Sequence, residues 1–172
     1  MMALDGSGYV AEGAYRKQLR EDIRWGGLAG LLAGGALMVF FFAYDVLWFT
    51  PLATPDFLSK ALLGGGEPSP ELLTKLRTIR IVVFSVLHVV VFIVVGIIFA
   101  RFFRFTQLRK TLGVGGLYGL VVCTAVFSAG MQVTGTQMTA KPGWPALLAG
   151  NLVAGIVMVV FLRRVQGVEP SG

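Results

Sequence analysis

Six polar side chains interrupt otherwise long apolar runs in this chain: Asp45, Arg80, His88, Thr124, Ser128 and Asn151. A charge carried into hydrocarbon costs about 3 kcal/mol on insertion scales, so each of these residues asks for a partner or a task. At 1.5 Å per helical residue, His88 lies roughly 13 Å into the second run and Asn151 about 10 Å into the fourth. Thr124 and Ser128 fall at similar depths in the third, and Asp45 lies one turn from the end of the first. Five of the six therefore occupy the same half of the runs, on four different helices, and can meet. Two chemistries fit such a group. One is a polar pocket with His88 as proton acceptor or ligand. The other is interhelical hydrogen bonding, worth about 0.6 kcal/mol per bond. Arg80 opens the second run at nearly the depth of Asp45, which predicts an Asp45–Arg80 ion pair sparing both charges from lipid.

His88 is the only histidine, so one chain cannot supply the two imidazoles of a bis-histidine haem. A haem held by His88 with Met131 or Met138 places the methionine at or beyond the end of its run. A chlorophyll-type pigment needs a single imidazole, but its ligand helix often carries a small residue four positions earlier, where this chain has Phe84. Metal and nucleophile chemistry have less support. There is no second histidine, no cysteine pair and no carboxylate cluster, and the lone Cys123 cannot form an internal disulfide. Ser85 stands one turn before His88, at a spacing where a hydroxyl usually bonds its own helix. The glycine clusters 64–66 and 113–116 follow no strand and match no phosphate loop. No catalytic or metal residues are assigned, no enzyme activity is expected, and no cofactor is expected. Haem or a chlorophyll-type pigment on His88 is the alternative.

The elements that must carry these residues are four apolar runs, at about 27–49, 79–103, 112–133 and 144–162. Each is long enough to cross a ~30 Å hydrocarbon core, which takes about 20 helical residues. The predicted fold class is all-α: a single-domain integral membrane four-helix bundle over residues 1–172. An amphipathic N-terminal helix, 11–24, is expected to lie on the membrane surface, with Tyr15, Leu19 and Ile23 every four residues and Glu12/Arg16 and Lys17/Glu21 as i,i+4 pairs. A short helix from Thr54-Pro55 to Leu63, closed by Gly64-Gly65-Gly66, is expected in the opposite interface. Ser69-Pro70-Glu71 has the chemistry to start the second long helix, running to about Phe105.

Packing is written in small residues. Gly26, Gly30 and Gly34 in the first run, Gly115 and Gly119 in the third, and Ala146, Gly150 and Ala154 in the fourth recur every four positions. Each series lays a flat stripe along one helix face. The second run differs: Ile, Val and Phe dominate it, with Gly96 and Ala100 only near its end, which suits lateral contact with lipid or protein.

Orientation follows from basic residues. Ten of the fifteen Lys and Arg fall on the side of the N-terminal segment, the second connection and the C-terminal end. That excess predicts both termini in the cytoplasm, and Trp25, Trp48 and Trp144 all fall at run boundaries. The first 24 residues are polar and the first run is far longer than a signal h-region, so an uncleaved signal anchor is expected. The net charge of +6 is accounted for by these span-end residues and leaves no basic platform for nucleic acid.

The first run and its exit, from Gly27-Leu-Ala-Gly30 through Asp45 to Pro51-Leu-Ala-Thr54-Pro55, followed by a helix with a central His88, resemble a group of small uncharacterised bacterial membrane proteins. The resemblance covers about the first hundred residues. It implies a bacterial inner membrane and carries no activity. The function expected from the chain is that of a non-catalytic accessory or structural subunit of a larger respiratory or photosynthetic membrane complex, its partners being lipid and other membrane subunits. A small oligomeric transporter or channel is the alternative, and a haem- or pigment-binding subunit the third reading.

Overall fold

The computed structural model describes residues 7–63, 75–105, 112–133 and 143–165, and all regular structure among them is helical. The elements are α1 (Ser7–Trp48), α2 (Ala53–Leu63), α3 (Arg77–Phe105), α4 (Leu112–Tyr118), a π-turn (Gly119–Cys123), α5 (Thr124–Val133) and α6 (Trp144–Val165). α4, the π-turn and α5 run on as one helix. Four helices are thus long and apolar enough to cross a membrane, which fits a multi-pass membrane protein. The closing glycines 64–66, the Ser69-Pro70-Glu71 start and Met138 lie outside the described residues.

The long helices alternate in direction. α1 packs against α3 on one side and α6 on the other, and α4 packs on α6. Two glycine contacts set these approaches. Gly96 of α3 lies against the backbone of Gly26 and Gly30, so that a methyl group added at Gly96 would sit 2.6 Å from the Gly30 Cα. Gly155 of α6 lies against Gly119, where an added methyl would sit 2.8 Å from the Gly119 Cα. Both contacts gather toward the end of the molecule that bears Arg101, Arg163 and Arg164, here called the basic end. Gly34 meets the Phe92 side chain, and Gly150 meets Leu37 and Phe40. Ala146 and Ala154 are buried in the core, as is Gly115 against Val159.

The surface helix expected at 11–24 is not a separate element. It is the first part of α1, a single helix of 42 residues and about 63 Å long. Without a break after Arg24 it cannot turn to lie in a plane that the rest of α1 crosses. No proline interrupts the join, and Gly26, the weakest link in propensity, is held against Ile97 and Ala100 of α3. The projecting part is tied to the same helix: Arg101 pairs with buried Asp22 at 3.4 Å and lies over the Tyr15 ring at 5.4 Å.

At the other end α1 stops at Trp48 and the chain reverses within four residues. Leu52 takes the left-handed conformation, φ 67°, the one such non-glycine position among the described residues. The Ala53 N–H donates to the Thr50 carbonyl, and α2 then folds back over the bundle against α3.

Candidate functional site

The predicted polar residues divide into two sets. Asp45 is fully buried, and its carboxylate accepts from the Thr54 N–H at 2.8 Å and the Thr54 hydroxyl at 2.6 Å. It acts as a remote cap on the N-terminus of α2, where first-turn N–H groups and the helix dipole favour an anion. Charge-assisted bonds of this kind are the strong ones, and they explain why a carboxylate is tolerated there. The expected Asp45–Arg80 ion pair does not form. Arg80 instead faces Asp56 of α2 at 3.6 Å, with Arg77 at 3.5 Å and Lys60 at 2.9 Å on the same carboxylate. Depth along two helices matched Asp45 with Arg80, but α2 folds between them and supplies each with a nearer partner.

Deeper in the bundle, the Asn151 amide donates to the Thr124 hydroxyl at 2.9 Å, joining α6 to α5. The π-turn makes this possible. In an i→i+5 turn, Thr124 comes back toward the side of the helix that carries Gly119, which is packed on the Asn151 carbonyl. His88 lies on α3 between two rings, with Phe84 at 5.8 Å and Phe92 at 4.7 Å between centroids. Neither Thr124 nor Asn151 bonds it, so the five polar groups that could meet do not all join in one hydrogen-bonded cluster. Ser85 donates to the Ile81 carbonyl of its own helix at 2.8 Å. Ser128 is part-buried on α5 and does not reach the cavity wall.

Between α3 and α5, roofed by α2, is a cavity of about 610 Å³. Its wall is aliphatic and aromatic, and His88, Asn151, Ser85, Thr54 and Cys123 are its polar members. Toward the basic end, the Tyr118 ring packs on Phe99 at 4.3 Å and its hydroxyl donates to the Val95 carbonyl at 3.0 Å. At the same end the glycine contacts close the bundle. No family model, curated protein or solved structure matches the chain. The geometry therefore carries the functional argument by itself. Among the described residues, no three His, Cys, Asp or Glu side chains gather as a metal site would require.

Sequence reasoning passed over Asp56, Tyr118 and Gly155. Asp56 was legible as a first-turn acid four residues before Lys60. Gly155 was legible too, one turn beyond Asn151 on the face that meets α4. Tyr118 and the π-turn had no local signal, since both depend on which helix lies opposite.

Proposed function

We propose that the chain is a non-catalytic accessory subunit of a larger membrane complex in a bacterial inner membrane, holding or bridging other subunits with both termini cytoplasmic. The observation that carries this reading is α3. Of the four candidate spans it buries the smallest share of itself, 17% against 28% to 50% for the others. Its outward face is an unbroken apolar stripe through Ile79, Val83, Val86, Val90, Val94 and Ile98, a spacing suited to a straight helix–helix seam. The correction to α1 supports the same reading. Tyr15, Leu19 and Ile23 form an exposed apolar row on a helix that projects past the apolar run instead of resting in the interface. Such a row is suited to another protein.

A channel or transporter has less support, because the α3 wall of the cavity stops at Phe92 and the glycine contacts hold the helices together toward the basic end. A photo-crosslinking side chain at Val90, in native membranes, is expected to capture discrete protein partners, while one at Leu117 on the exposed face of α4 captures lipid. Recovery of a partner-free monomer, in detergents that keep other complexes whole, would overturn the proposal. Substrate flux from such a preparation in liposomes would favour the transporter.

A further inference from the structure

We propose that the cavity under α2 binds one membrane-soluble molecule of the quinone class, whose ring oxygen hydrogen-bonds His88. This goes beyond a role as a subunit and does not depend on it. The cavity, at about 610 Å³, lies within the 300–1,000 Å³ range of small-molecule sites, which are mostly apolar with a few placed polar groups.

Most of its polar groups are already engaged. Thr54 is committed to Asp45, Ser85 to its own helix, and the Asn151 amide nitrogen to Thr124. His88 has no hydrogen-bond partner among the described residues, although it is set in an apolar wall and fixed between Phe84 and Phe92. Leaving such a group unbonded in hydrocarbon costs on the order of 1–3 kcal/mol. An imidazole offers one N–H donor and one nitrogen acceptor. A quinone oxygen takes the first and a quinol hydroxyl the second, so both forms are accommodated.

Depth and wall chemistry decide against an ordinary lipid. His88 is eleven residues beyond Arg77, the exposed, ion-paired start of α3, which is roughly 16 Å along the helix. A phospholipid whose headgroup rests near Arg77 places only methylene groups at that depth. The ligand must carry its oxygen inward on an apolar body. Phe41, Phe84, Phe92 and Phe127 line the cavity, and such rings favour a flat conjugated partner in offset or edge contact. Leu87 of α3 and Val126 of α5 line it as well and are partly exposed, which gives a tail a sideways exit into the bilayer.

The test uses the full chain in phospholipid nanodiscs, with a decyl-substituted benzoquinone as probe and decylbenzene as its oxygen-free counterpart. The expected result is saturable binding of one quinone per chain, with decylbenzene at least tenfold weaker. His88→Phe keeps an aromatic ring and removes the hydrogen bond, and should weaken quinone binding about tenfold, as loss of one bond implies. Gly130→Leu should abolish binding by filling the cavity. Gly130 lines the wall and has nothing within 4 Å of an added Cβ, so this variant should keep the wild-type melting curve. Equal binding of the two probes unaffected by His88→Phe would reduce the cavity to a groove for apolar chains and overturn the proposal. So would absence of saturable binding, wild-type affinity in Gly130→Leu, or a Soret or chlorophyll band in the purified protein that His88→Ala removes.

Discussion

The two ends of the bundle solve the same packing problem in opposite ways. Toward the basic end, α1 meets α3 and α4 meets α6 through glycine backbones, with no room for a single methyl group at Gly30, Gly96, Gly119 or Gly155. Toward the α2 end, α3 and α5 stand apart. The space between them is walled by large side chains and spanned by α2, which is held by two local polar devices, Asp45–Thr54 and Asp56 with its three cations. Lipid tails are as apolar as leucine, so in a membrane close approach must come from van der Waals contact and small residues. Where those residues end, the helices separate, and polar groups hold the geometry instead.

The largest effect should come from filling the glycine contacts. Gly30→Ala or Gly96→Ala forces α1 and α3 apart against backbone atoms that cannot yield. Each should lower stability by about 3 kcal/mol, the upper part of the range for overpacking. Reversible unfolding in mixed micelles measures this. A loss confined to a few tenths of a kcal/mol would mean the helices are not in contact there.

Next comes the α2 anchor. Asp45→Ala removes two charge-assisted bonds and should cost about 2–3 kcal/mol. The double-mutant cycle of Asp45→Ala with Thr54→Val should be strongly non-additive, whereas the cycle of Asp45→Ala with Arg80→Gln should be additive. Coupling in the second cycle and none in the first would restore the Asp45–Arg80 pair and separate α2 from the bundle.

How much of this was legible beforehand follows from what each feature depends on. The four spans and α2 could be read because hydropathy and cap chemistry are local. The glycine stripes were legible on α1, α4 and α6 because a stripe is a property of one helix. That they would meet Gly96 and Gly155 was not, because a contact needs two helices and a register. Asp45 was singled out as an acid near the end of an apolar run and is buried, yet it was assigned the wrong partner: counting depth ignores a loop helix that returns across both candidates. His88 could be placed by depth, but the gap beside it is set by how far α3 and α5 diverge. No single stretch of residues records that distance.

Smaller effects sharpen the contrast. Asp56→Asn leaves Arg80 buried beside a neutral amide and should cost about 1–2 kcal/mol, with α2 becoming more accessible to protease or to thiol labelling at an introduced Ser59→Cys. Thr124→Val should cost only about 0.6 kcal/mol, the average for an interhelical hydrogen bond in a membrane protein. A much larger loss would mean that the π-turn itself depends on the Asn151 bond.

The most direct test of a closed end and an open end uses one helix line and one substitution. Gly119 and Gly130 lie eleven residues apart on the continuous helix 112–133, and alanine can be placed at each in turn. The stabilities of the two variants, measured side by side in the same micelles, should diverge. Gly119→Ala should unfold at least 2 kcal/mol more easily than the parent. Gly130→Ala should match or slightly exceed it, since a methyl group there enters open space and alanine favours the helix by about 1 kcal/mol. Equal losses at both positions would contradict the account, because they would mean that the helices pack as tightly under α2 as they do at the basic end.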